Sequence, residues 1–254
     1  MLHLKGVTKS FGGIMAVNDV GFELNAPGIT GLVGPNGSGK TTLFHLITGF
    51  YSLDKGDIYF QGQRINGIAP HRISQMGLVR TFQQTRILPF MSVMESLLSA
   101  SPNQAGERLT AVFLKPRTVR RAERANTEKA KEVLDLIRLT DLADQLASKL
   151  SFGQQKLLEL GRVLMSKPKM ILLDEPTAGI NPTLIRRLVE LLKTLNREEI
   201  QIFLIEHNMP LVAEVCRRLL VMDSGSLIFS GTPAEAIKNP RVIEAYLGKA
   251  HHDT

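Results

Sequence analysis

The apolar positions of the chain change period several times, and these changes divide it into blocks. Residues 3–8 and 20–24 alternate apolar and polar side chains, as does the shorter run Ile58–Phe60, with Gly and Asn turns between them. Alternation of period two predicts half-buried strands, and the three together predict a small antiparallel sheet. Ile29–Val33 reads as a buried strand, Thr41–Thr48 as a helix, and residues 77–90 as a strand passing into a polar connection. Between residues 92 and 149 strand patterning stops. Val133, Leu136, Ile137 and Leu142 recur there at helical spacing, with breaks near Pro102 and Pro116. That predicts a helical insertion within an otherwise α/β chain.

Beyond the insertion, Leu150–Lys156 opens a helix that continues through Leu157, Leu160, Val163 and Leu164. Met170–Leu173 and Gln201–Ile205 are short, nearly continuous apolar runs, as expected of parallel strands covered on both faces. Leu219–Met222 and Leu227–Ser230 predict a hairpin around Asp223-Ser224-Gly225, with helices following from Pro233 to Gly248. The sequence contains no internal repeat and no low-complexity segment.

The chemistry gathers where this pattern switches from strand to helix. Gly34-Pro35-Asn36-Gly37-Ser38-Gly39-Lys40-Thr41 is a full match to the phosphate-binding pattern G-x-x-x-x-G-K-[ST], and it lies between the predicted strand and the predicted helix. Gly31, Gly34, Gly37 and Gly39 permit backbone conformations that a β-carbon would obstruct, so that successive N–H groups point at phosphate oxygens. The start of the helix adds its positive dipole end. Lys40 is placed to bridge the outer two phosphates and the Thr41 hydroxyl to ligate magnesium, which defines a nucleoside triphosphate site.

Other candidates surround it. The strand Met170–Leu173 ends in Asp174-Glu175, at the carboxyl edge where open α/β sheets place ligand chemistry. Asp174 suits a magnesium ligand, either directly or through a bound water, and Glu175 a general base for water. Glu206-His207 ends the second such strand, and His207 is either structural or an imidazole at the same edge. Phe11, in the predicted turn Lys9–Gly13, either plugs the core or stacks on a purine. Gln83 reads as a surface glutamine or as an amide reaching the magnesium or its water. Ser151 is a helix N-cap, which by itself accounts for the residue.

Bulk composition narrows the class. The 254 residues are 43% hydrophobic and 22% charged, as in ordinary globular proteins, with room for one large or two modest domains. No apolar run approaches the roughly 18 residues of a membrane span, and the N-terminus lacks a signal-peptide core, so the expectation is a cytosolic chain. The lone cysteine, Cys216, excludes an internal disulfide and suits packing in an apolar helix. The net charge of +7 owes much to Lys115–Lys131, where Arg117, Arg120, Arg121 and Arg124 alternate with few acids. Without interleaved aromatics to stack bases, that run reads as a solvated helix face and speaks against nucleic acid.

In this order the elements resemble the ATP-binding subunit of ATP-binding-cassette (ABC) transporters over nearly the whole chain. The family's aromatic loop matches Phe11, its phosphate loop residues 34–41, its glutamine loop Gln83 and its signature Leu150–Gln154. Its carboxylate strand matches Met170–Glu175, the loop after it Ala178–Pro182, and its switch histidine His207. Two positions depart: Phe152 stands where the signature usually has its first glycine, and Asn181 where the later loop usually has an aspartate. Within the family the chain is most similar to the larger of the two ATPases of a branched-chain amino acid importer. That likeness lies in Thr48–Tyr51, Arg80-Thr81-Phe82-Gln83-Gln84, the long helical insertion, Ala178–Pro182, Ile205–Met209 and the ending Asn239–Gly248.

The resemblance implies an α/β fold, that of a P-loop NTPase (RecA-like): a mixed-sheet core with an antiparallel β subdomain and an inserted α-helical subdomain. It implies one ABC domain over 1–254, with 1–85 and 150–254 forming the core and β subdomain and 86–149 the helical subdomain. ATP would be bound by Phe11, Gly34, Pro35, Asn36, Gly37, Ser38, Gly39, Lys40, Thr41 and Thr42, and Mg2+ by Thr41, Gln83 and Asp174. Glu175, His207 and Gln83 would be catalytic, with Ser151, Phe152, Gly153 and Gln154 acting across a dimer on the partner's nucleotide. The implied partners are a second ABC ATPase, in a heterodimer or a homodimer, two membrane-spanning permease subunits and, indirectly, a substrate-binding protein. The implied place is the cytoplasmic face of the membrane. Two rival readings are a cassette for another cargo (urea, another small polar solute, a lipid) and a soluble cassette acting on DNA or the ribosome. The second meets a chain with no room for long heptad arms and with one cassette rather than two.

Overall fold

The protein is seen in a computed structural model that describes residues 1–25, 27–81, 88–102 and 116–247. Gln83, Gln84 and the segment from Lys115 to the start of the basic helix lie outside the described residues. The chain forms two compact units, one of Met1–Arg80, Lys169–Ala178 and Leu192–Thr254, the other of Thr81–Pro168 and Gly179–Leu191.

The first unit carries two sheets. Strands β1 (Leu2–Phe11), β2 (Ile14–Leu24), β4 (Lys55–Phe60) and β5 (Gln63–Arg64) form an antiparallel sheet in the order β2-β1-β4-β5. The expected alternation is there, but β1 and β2 run much longer than residues 3–8 and 20–24, because the turn is only Gly12-Gly13. Bulges between Leu4 and Ser10 absorb the register shifts of this long hairpin.

The second sheet has the order β10-β9-β3-β8-β7-β6. Its strands are β3 (Ile29–Val33), β6 (Leu78–Arg80), β7 (Met170–Asp174), β8 (Gln201–Ile205), β9 (Arg218–Asp223) and β10 (Ser226–Gly231). All are parallel except β10, which closes a hairpin with β9. Strands β3, β7 and β8 are buried at every residue, as their continuous apolar runs require. Helix α1 (Lys40–Ile47) places Leu43, Phe44, Leu46 and Ile47 in one core with Leu2, Leu4 and Phe60 of the antiparallel sheet and Phe203 and Ile205 of β8. Phe203 is the hub, with ring centroids 5.1 Å from Phe44 and 5.6 Å from Phe22. Helices α2 (Pro70–Gln75), α7 (Met209–Val215), α8 (Pro233–Ala236) and α9 (Pro240–Leu247) complete the unit.

The second unit is helical: α3 (Val93–Leu98), α4 (Pro116–Leu136), α5 (Phe152–Met165) and the start of α6 (Pro182–Arg197). Helix α4 starts at Pro116, where the sequence placed a break, since the first helical position needs no N–H donor. Val133, Leu134 and Ile137 form the buried side of α4 and its C-terminal extension, while Arg120, Arg121 and Arg124 are exposed.

Candidate nucleotide site

The loop that follows β3 has the conformation its glycines allow. Gly34 and Gly39 sit at φ +151° and +97°, and a β-carbon on them would collide with the carbonyl oxygens of Met222 and Ala16 respectively. Gly39 is also the left-handed cap residue of α1, whose first turn has neither a side-chain cap nor an acidic residue. The N–H groups of a helix's first turn point out of its start, where an anion is favoured. Gly31 differs from the expectation. It lies within β3, where a β-carbon would approach Leu219 Cδ1 (2.9 Å) and Cys216 Sγ (3.1 Å), so it serves sheet packing rather than the phosphate loop.

Lys40 is 6% exposed, and its ammonium donates to the carbonyls of Gly34 (2.8 Å) and Pro35 (2.9 Å) and to Ser38 Oγ (3.3 Å). The positive charge thus lies in the mouth of the loop. Asn36 and Gly37 are exposed beside it, and Thr41 and Thr42 are half-buried in the first turn of α1. From α9, Tyr246 reaches the Gly34 backbone; burial pushes its phenol up, and that backbone contact pulls the other way.

Parallel pairing brings the carboxylates to the same edge. Asp174 stands opposite Ile205 on β8, and Ile205 opposite Leu32 on β3, so β7 and β8 end beside the loop. Asp174 is buried, with Oδ2 bound by the Arg80 guanidinium at 2.6 Å and Oδ1 without a partner among the described residues. Glu175 follows at φ +49°, a left-handed turn that swings its side chain out of the sheet. Its Oε1 lies 3.0 Å from His207 Nε2, so the two residues at the ends of β7 and β8 meet.

Glu206, between them, went unread in the sequence. It is 2% exposed and accepts hydrogen bonds from Thr177 N–H and Oγ1 and from the N–H groups of His207 and Asn208, tying together the two loops that carry Glu175 and His207. A carboxylate next to an apolar strand end was the available signal. Arg80 was likewise missed, and so was His45 on α1, whose imidazole burial holds below its usual range, with the nearby Arg80 charge adding to that.

Phe11 is the last residue of β1 and 42% exposed, which removes the core-plug reading. Its ring meets Tyr51 edge-on at 5.2 Å, with Lys9 5.3 Å from its centroid. In the helical unit, Ser151 caps α5 through a reciprocal box with Gln154, and Phe152 is half-exposed under the Lys156 ammonium. Gly153 is buried. Asn181 accepts from Leu184 N–H at 2.9 Å and so caps α6. Gln83 lies outside the described residues.

The described residues hold no group of three or more His, Cys, Asp or Glu fit to bind a metal unaided. The orphaned, buried Oδ1 of Asp174 and the Thr41 hydroxyl at the start of α1 do fit a magnesium ion that draws its other ligands from phosphates and water. No helix among the described residues is long and apolar enough to cross a membrane.

A phosphate loop that opens α1, with a carboxylate pair at the end of the parallel strand next but one, defines a nucleotide-hydrolysing cassette. The chain belongs to the ABC transporter family, whose profile matches residues 17–178. A second profile, described as a branched-chain amino acid ATP-binding cassette transporter, matches residues 226–252. The chain is 41% identical over 98% of both chains to the high-affinity branched-chain amino acid transport ATP-binding protein LivG of Escherichia coli K12, and 39% identical over the same shares to BraF of Pseudomonas aeruginosa. Among solved structures, a nucleotide-free ATP-binding cassette from an ABC transporter superposes with a TM-score of 0.83 at 36% identity, covering 97% of this chain and 98% of that one. A cassette of an ABC transporter in its ADP conformation gives 0.82 at 34%, covering 98% of each chain.

Proposed function

We propose that the protein is the ATP-hydrolysing subunit of an importer of branched-chain or other hydrophobic amino acids. The observation that carries the cargo is the end-to-end likeness to LivG and BraF, together with the match of residues 226–252 to a profile of that transporter class. In this reading the loop Gly34–Thr42 holds the phosphates and Phe11 packs on the adenine. Thr41 and Asp174 would hold a magnesium ion, whose charge would offset that of the phosphates. Lys40 exchanges its bonds to the Gly34 and Pro35 carbonyls for the β- and γ-phosphates. Glu175 takes the proton of the attacking water, and His207, already on its carboxylate, orients it.

Two cassettes then close on two nucleotides, each capped by the Ser151 turn of the opposite subunit, and the γ-phosphate favours the closed state because only there is it contacted from both sides. The second cassette is a different ATPase or a second copy of this chain, and two membrane-spanning permease subunits, met at the cytoplasmic face, receive the motion. The apolar Phe90 (92% exposed) and Met91 support a protein contact in the helical unit. The test is reconstitution: expressed with the neighbouring permease, cassette and binding-protein genes, the chain should co-purify from membranes and support ATP-dependent uptake of radiolabelled leucine. Uptake of urea or of a lipid instead would replace the cargo, and a chain that stays free of membranes would overturn the transport reading.

A further inference from the structure

Arg80 ends β6 and pairs with Leu172 of β7, two residues before Asp174. Strand side chains repeat every second residue, so Arg80 and Asp174 share a face and the guanidinium reaches forward to the carboxylate. The pair is closed off from water: side-chain exposure is 7% for Arg80 and 0% for Asp174, with Nη2 2.6 Å from Oδ2. On its other side the guanidinium carbon lies 5.7 Å from the ring centroid of Phe44, on the helix that begins with Lys40 and Thr41. Arg80 is thus fixed between the phosphate-loop helix and the carboxylate strand. The pairing is also one-sided. Asp174 Oδ1, Arg80 Nε and the nearby His45 Nδ1 are buried and lack partners among the described residues.

A buried carboxylate is costly without a counter-charge; Arg80 supplies that charge at one oxygen only, and the other oxygen is the kind of hard ligand a divalent cation takes. We infer that Arg80 is a positioning residue for the metal site: it keeps Asp174 oriented by Oδ2 and leaves Oδ1 turned out for magnesium or its water. The inference rests on the proposed reading of Asp174 as part of a Mg–ATP site. The planar guanidinium suits this role better than an ammonium, since one edge binds the carboxylate while its carbon sits over the Phe44 ring.

The test separates metal from nucleotide. A fluorescent ATP analogue is titrated into the purified chain in EDTA and then over a magnesium series, for wild type, Arg80→Gln and Arg80→Lys, with Mn2+ binding followed by electron paramagnetic resonance. Arg80→Gln should raise the half-saturating metal concentration about 10- to 100-fold, the usual cost of losing a partner that orients a ligand. Its metal-free affinity should be unchanged, and Arg80→Lys should fall between. Added to Asp174→Asn, the Arg80→Gln change should have no further effect on metal. An unchanged or tighter metal dependence, or an equal loss of metal-free affinity, would overturn the inference. If Arg80→Gln fails to fold, a wild-type metal dependence in Arg80→Lys overturns it. A wild type that binds the analogue without any metal dependence would instead sink the Mg–ATP reading itself.

Discussion

At Glu175 the chain leaves β7 through a left-handed turn, a conformation that costs a non-glycine residue about 1–3 kcal/mol and that persists only where the surroundings enforce it. Here they do, because its N–H bonds Ile205 O at 3.0 Å and its carboxylate meets His207. Glu175→Gln keeps size and hydrogen bonding while removing the base. It should bind ATP as wild type does and hydrolyse it about 10²- to 10⁴-fold more slowly, checked by nucleotide titration beside a phosphate-release assay. Wild-type turnover would move the base elsewhere. At Phe11, where the ring is exposed against Tyr51, Phe11→Ala should weaken ATP more than Phe11→Tyr; equal affinities would leave the ring a merely structural part of the hairpin end.

Among the elements, α6 explains one of the two departures from the family pattern. Asn181 caps that helix, and asparagine and aspartate cap about equally well, so the usual aspartate is not required to start it. Asn181→Ala should destabilise the protein by about 0.5–2 kcal/mol, read as a lower denaturant midpoint. Asn181→Asp should be neutral or slightly stabilising, since the first turn of α6 has no acid and the helix dipole favours one. An alanine variant as stable as wild type would deny the cap any weight. Elements with a strong period were legible in the sequence: β3, β7, β8 and the β9–β10 hairpin fall where the apolar runs are. The lengths of β1 and β2 were not, because the half-buried end of β1 and the largely exposed start of β2 lose the alternation that marks a strand.

For the whole molecule the decisive property is that each nucleotide would be shared. Lys40→Ala and Ser151→Arg should each inactivate a homodimer, whereas mixing them should restore activity, because one site per mixed dimer keeps both a good loop and a good Ser151 turn. If ATPase activity needs the second cassette, the same pair belongs in the reconstituted transporter, with Ser151→Arg disabling the site whose loop is on the partner. A mixture as inactive as its components, from an active wild type, would refute the shared site. By itself the sequence determined the phosphate loop, the carboxylate strand and the capped α5, since each is a run of neighbouring residues whose backbone conformation depends on local spacing. Only the tertiary structure decided that Arg80 holds Asp174 across 94 residues, that Glu175 meets His207 across 32, and that Glu206 ties their loops together. These contacts follow from which strands lie side by side, β6 on β7 and β7 on β8, and that order is set by burying the apolar faces of the whole core at once rather than by any local pattern.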